Sequence, residues 1–216
     1  MKSFLSAGAA VTALLGLSSL AVAETPPSPP EECKPLRGPA LEKQAIAATP
    51  RTEAPSLGSA DAKVTVEVWE DFECSFCARS VETLKALHEK YGDQVRIVFR
   101  HNPLPIHKNA RLAAIAAMAA HEQGKFWEFS DALFAQQTKL DRASVEALAS
   151  QQGLDLVRFQ RALDSSTLSH YVDLELAEGR RRKVSGAPVF FINGKSIVGA
   201  QPRGVFEQTI DAALSR

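Results

Sequence analysis

Two cysteines three residues apart, in Cys74-Ser75-Phe76-Cys77, stand where a strand pattern hands over to a helix pattern. At that spacing two thiols can close a small disulfide across the first turn of a helix. A helix N-terminus carries unpaired backbone N–H groups and the positive end of the macrodipole, and both favour a thiolate. The thiolate is the form that attacks and leaves in thiol–disulfide exchange, so a dithiol held there is set up for that chemistry. Zinc is the competing use of a cysteine pair. A structural zinc site wants four ligands. The third cysteine, Cys33, lies in a proline-rich stretch, and His88, His101, His107, His121 and His170 show no ligand spacing. No metal and no other cofactor is expected.

The flanking sequence says how the pair is held. Val64, Val66 and Val68 alternate with Thr65, Glu67 and Trp69, the period of a strand. Cys77, Val81, Leu84, His88 and Tyr91 then recur at three and four, with Leu87 beside them, which is one face of a helix that Gly92 is placed to end. Cys77 falls on the inward face and Cys74 ahead of it, so one sulfur is expected to be reachable and the other shielded. Residues 94–100 read as a second strand, broken by His101-Asn102-Pro103-Leu104-Pro105. A helical block follows. Residues 110–120 are apolar almost all round, Phe126, Phe129, Leu133 and Phe134 mark an amphipathic helix, and Asp141 is placed to cap a third. Residues 155–163 and 168–183 supply two more helical stretches. Residues 188–192 are a short apolar run, Asn193-Gly194 a hairpin turn, and residues 196–198 its return strand, after which Pro202 opens a last helix.

The chain has 216 residues, with Lys plus Arg equal to Asp plus Glu at 25 each. That balance gives no field to attract nucleic acid or an anionic membrane. Lys2, the apolar residues 4–22 and Ala21-Val22-Ala23 fit a secretory signal of residues 1–23, with an uncleaved membrane anchor as the rival reading. Residues 24–57 carry Pro26, Pro27, Pro29, Pro30, Pro35, Pro39, Pro50 and Pro55, a density expected of an extended or disordered tail with at most a short helix at 40–48. Cys33 sits in that tail, either as a free thiol or as an interchain bridge. The ordered domain is expected over residues 58–216, with its helical insertion at about 106–183.

The segments Asp71-Phe72-Glu73-Cys74-Ser75-Phe76-Cys77, Gly124-Lys125-Phe126-Trp127 and Gly186-Ala187-Pro188-Val189-Phe190-Phe191-Ile192-Asn193-Gly194 together resemble the DsbA-like thiol:disulfide oxidoreductases of the thioredoxin-fold superfamily. The resemblance implies an α/β thioredoxin-like fold with a helical insertion between the second strand and the cis-proline strand. It implies that Pro188 is cis and lies against the cysteine pair, and that Ala187 and Pro188 meet the substrate; by its place in the motif Phe76 is read as a further substrate contact. Phe76 has a second reading, as a cover over the disulfide. The family commonly has threonine or valine where Ala187 stands, and many members carry a buried acid where this chain has Val68. Proton transfer for the buried thiol is then left to Glu67, Glu70 or water. Glu70, Asp71 and Glu73 oppose a Cys74 thiolate, weakly if they are solvated. The expected Cys74 pKa is depressed, but less than in the strongest oxidants of the family.

The resemblance implies an enzyme, which the signal-like residues 1–23 make an exported one and which is expected to be monomeric. It would exchange disulfides with cysteine-containing proteins through Cys74 and Cys77, with a membrane redox partner that resets the pair, and more as an oxidant than a reductase or isomerase. The rival of another class is a binding module with an inert structural disulfide.

Overall fold

The computed structural model describes residues 53–216. The signal segment, most of the proline-rich tail, the helix expected at 40–48 and Cys33 lie outside the described residues.

β2 (Val64–Glu70) and β3 (Val95–His101) pair in parallel at the centre of a five-stranded sheet of order β1-β3-β2-β4-β5. β1 (Ser56–Leu57), β4 (Val189–Ile192) and β5 (Lys195–Val198) join it antiparallel. β1 takes in two residues that the proline pattern assigns to the tail. It is too short to leave a periodic signature, and Pro55 still contributes its carbonyl to the Phe99 N–H (2.9 Å). Gly58 closes the turn that follows with φ +94, and a Cβ there would stand 2.3 Å from the Val95 oxygen.

Among the described residues seven α-helices complete the fold. α1 (Ser75–Tyr91) joins β2 to β3, and α2 (Ala110–His121), α3 (Phe126–Ala135), α4 (Arg142–Gln151), α5 (Leu156–Leu163) and α6 (Ser166–Arg181) form the insertion between β3 and β4. α7 (Arg203–Leu214) ends the chain. α2 is the hub of the insertion, with Ala110 and every residue from Ala113 to Ala120 buried, as its all-round apolar sequence predicts. Among the described residues no helix is long and apolar enough to cross a membrane.

The sheet is covered on both faces. Val64, Val66, Val68, Ile97 and Phe99 point into the main core with α1, the insertion and α7, where Phe190 meets Phe206 edge-on at 4.6 Å between ring centroids. Trp69, Val184, Val189 and Phe191 form a smaller core on the other face. There Arg182 lies 4.1 Å over the Phe191 ring and pairs with Glu67, while Arg100 bonds Glu175 (2.8 Å). In the basic run 180–183, Arg182 thus turns inward to Glu67 and Arg181 is tied to Glu178 (2.6 Å).

Asp141, Asp155 and Ser165 cap α4, α5 and α6, accepting from Ser144 N–H (3.0 Å), Arg158 N–H (3.0 Å) and Thr167 N–H (3.2 Å). Asp155→Ala is expected to cost about 1 kcal/mol of unfolding free energy, read as a lower urea midpoint at unchanged slope; an unchanged midpoint would refute the capping role. α1 differs, because its N-cap is Cys74 and no side chain caps it.

Candidate functional site

α1 packs on the strand face that ends in Glu70, and its buried stripe is Cys77, Ser80, Leu84, Leu87 and Tyr91. The periodicity had put Val81 on that stripe. Ser80 takes the place because its hydroxyl finds two partners there, Glu70 Oε1 (2.5 Å) and the Cys77 carbonyl (2.6 Å). A buried polar group is retained when it is hydrogen-bonded.

The two sulfurs stand at the start of this helix and both are free thiols. Cys77 is fully buried and Cys74 is 7% exposed, so the asymmetry is of the expected sign, but Cys74 is more enclosed than its place ahead of the helix suggested. The cause is the opposite loop. Ala187-Pro188 is a cis peptide, Pro188 is buried, and the Cys74 thiol reaches the Ala187 carbonyl (3.4 Å). Gln137, from the end of the α3 segment, donates to the Phe72 and Cys74 carbonyls (2.8 and 2.9 Å) and fixes the turn from a third side. Cys74, Cys77, Ala187 and Pro188 are thus brought together. Phe76, between the two cysteines in sequence, is 53% exposed, with the Arg79 guanidinium 4.3 Å over its ring.

The pair is electrostatically polarised. Cys74 is pulled down to about 6, chiefly by the hydrogen bond from the Cys77 thiol, with the Cys77 and Phe76 backbone N–H groups helping and burial opposing. These are the uncapped donors of the α1 N-terminus. The Cys77 thiol is pushed far up by burial, by its bond to Cys74 and by Glu70. One sulfur is thereby favoured as thiolate and the other as thiol.

Two of the three nearby acids do not meet the condition for screening, while Glu73 is half-buried. Glu70 and Asp71 are each 1% exposed. Glu67 is occupied on the far face by Arg182 and Arg100, so of the two acids open as proton acceptors only Glu70 shares the sulfurs' side of the sheet. Burial pushes the Glu70 carboxyl up from 4.5 to about 8, with the Ser80 bond opposing and Cys74 adding to the rise. Such an acid keeps its proton in the folded protein while the unfolded chain loses it, so this group's effect on stability falls as pH rises from about 4.5 to about 8. Glu70→Gln is expected to flatten that decline in thermal midpoint in the reduced protein; equal slopes for both forms would overturn the assignment.

The main residues that sequence reasoning missed hold the loop after β3. Asp71 accepts from Glu73 N–H (2.7 Å), Leu104 N–H (2.7 Å) and His107 Nδ1 (2.8 Å), and Glu73 accepts from Asn109 N–H (2.7 Å). Acids flanking the cysteines were the available signal, but only the fold shows what they bond. Among the described residues no group of three or more His, Cys, Asp or Glu is placed to hold a metal ion.

A thioredoxin core with a helical block let in before the cis-proline strand is the architecture of the DsbA-like thiol–disulfide oxidoreductases. The chain belongs to the thioredoxin family, whose model, described as "Thioredoxin", matches residues 51–212. A solved thioredoxin-like oxidoreductase from Silicibacter pomeroyi DSS-3 is 27% identical, with a TM-score of 0.69 over 76% of this chain and 93% of that one. The thiol-disulfide exchange protein alpha-DsbA2 from Wolbachia pipientis has the same fold at 19% identity, with a TM-score of 0.69 over 80% of this chain and 92% of that one. Among curated proteins, the Na(+)/H(+) antiporter NhaA of Herminiimonas arsenicoxydans is 33% identical over 156 residues, 72% of this chain. The chain spans about a quarter of that protein's length, 25%.

Proposed function

We propose that the protein exchanges disulfides with cysteine-containing proteins through Cys74 and Cys77, and that it works as an oxidant. The observation that carries this reading is the polarised pair, with Cys74 favoured as thiolate and facing the Ala187 carbonyl while Cys77 is buried as thiol.

In the oxidising direction a substrate thiolate attacks Cys74 Sγ, the Cys74–Cys77 bond breaks, and Cys77 leaves with the electron pair. Glu70, protonated at neutral pH, hands Cys77 its proton and is recharged from solvent. A second substrate thiolate then attacks the substrate sulfur of the mixed disulfide, the substrate disulfide forms, and Cys74 departs as thiolate. A sulfur of low pKa leaves readily and makes its disulfide a stronger oxidant. At about 6, Cys74 falls between the roughly 3.5 of a strong oxidant and the roughly 7 of a reductant of this fold. Ala187, Pro188 and the exposed Phe76 are proposed to meet the substrate chain.

Residues 1–23 are proposed as an export signal and the proline-rich stretch after them as a linker, which would place the enzyme outside the cytoplasm with a membrane partner that re-oxidises it. Equilibration of the Cys74–Cys77 pair against glutathione tests the direction. A reduction potential well above thioredoxin's, which is about −270 mV, is expected, and a potential at or below thioredoxin's would make the protein a reductant.

A further inference from the structure

The loop after β3, residues 102–109, folds back over the turn that carries the cysteines. Asp71 is the centre of that contact, and its side chain is fully buried. Its backbone also serves both cysteines: the Asp71 N–H points at Cys77 Sγ (3.5 Å), and its carbonyl accepts the Cys74 N–H (3.1 Å). A buried carboxylate therefore stands on the same turn as the two sulfurs, where little water screens it and its charge opposes a second negative charge on Cys74.

The loop does not need a charged partner to stay in place. Leu104 N–H and Glu73 N–H already bond the two Asp71 oxygens, and Glu73 holds Asn109 through its backbone (2.7 Å) and its side-chain amide (3.2 Å). His107 is a further contact, with Nδ1 2.8 Å from Asp71 Oδ2 and its side chain 23% exposed. What it adds that an N–H cannot is a full positive charge.

We propose that His107 is a positioning residue for the exchange site, whose imidazolium cancels the Asp71 charge and so lets Cys74 stand as a thiolate. This rests on the reading of Cys74 as the exchanging sulfur. The groups that face His107 are Asp71, Glu73 and Cys74. Partial burial works against its charge, but the Asp71 bond together with these negative groups outweighs it and His107 titrates above its usual value. Asp71, in turn, is one of the groups that pull Cys74 upward. The coupling is reciprocal. Two-electron reduction of the disulfide with uptake of one proton leaves Cys77 as thiol and Cys74 as thiolate, and the new charge raises the proton affinity of His107.

Two measurements on the full chain test this. The first is the pH profile of iodoacetamide alkylation, read by mass spectrometry on the peptide that holds Cys74. His107→Ala is expected to move the half-point up and cut the thiolate fraction near pH 6 by about threefold. In an Asp71→Asn background the same substitution is expected to move the half-point by clearly less, because only the direct coupling of His107 to Cys74 is left. The second is an NMR titration of the His107 ring in the wild type, oxidised and then reduced with dithiothreitol, where the half-point is expected to be higher in the reduced form. An acidic wild-type Cys74 unmoved by His107→Ala, or equal His107 half-points in both redox states, overturns the inference alone. An ordinary wild-type Cys74 half-point near 8.5 overturns the parent reading as well.

Discussion

Cys74→Ser is expected to abolish both the reduction of insulin and the oxidative refolding of a reduced substrate, while Cys77→Ala is expected to keep capture and lose release. Cys74 is the sulfur with some exposure, 7%, and it is the one held against the Ala187 carbonyl, so attack from an incoming chain falls there. Serine keeps nearly the same shape, but its oxygen does not form a disulfide. Cys77 is buried completely and cannot be reached by a protein substrate. In the proposed mechanism its part is internal: it closes the enzyme disulfide and, in the reducing direction, resolves the mixed one. Without it, Cys74 should accumulate as a covalent adduct with substrate, visible on a non-reducing gel and dissolved by dithiothreitol. Unchanged insulin reduction by Cys74→Ser would return the protein to the class of binding modules with a structural disulfide.

Asp71→Ala is expected to be the most damaging change to stability near the site, by about 3 kcal/mol or more. The estimate follows from what is left behind. Glu73 N–H, Leu104 N–H and His107 lose their acceptor at 2.7–2.8 Å, in a place where the Asp71 side chain itself sees no solvent. A stranded buried donor costs about 1–3 kcal/mol, and bonds to a charged acceptor are the stronger kind. The urea midpoint should fall at nearly constant slope, and the amides of Glu73 and Leu104 should lose hydrogen-exchange protection before the core strands do. A loss under about 1 kcal/mol would mean that water replaces the carboxylate and that the loop after β3 is not held from this point.

Much of this architecture was legible because the apolar residues recur at strand and helix periods with clear stops. Val64, Val66 and Val68 gave β2, Asn193-Gly194 gave the last hairpin, and Asp141 at the head of a periodic run gave a cap that the structure contains. The cis bond at Pro188 came from resemblance and not from the residues, since nothing local to Ala187-Pro188 distinguishes it. What escaped was of two kinds. β1 has two residues, fewer than one repeat of any pattern. The polar contacts of Asp71, Glu73 and Ser80 reach partners as far as 36 residues away, and a side chain's bonding partner across a sheet is set by tertiary packing that periodicity does not encode. Ser80 was readable in part, because it falls three residues after Cys77 on the same helix face; a hydroxyl in an apolar stripe points to a buried acceptor.

The antiparallel entry of β1 fixes a direction of approach. Ser56 is level with Val98 and Leu57 with Ile97, so the chain runs backwards along β3, and Pro55 lies level with Phe99, further toward the edge where β2 delivers Cys74. The described chain therefore enters β1 from the rim of the sheet that carries the cysteines and not from the opposite rim.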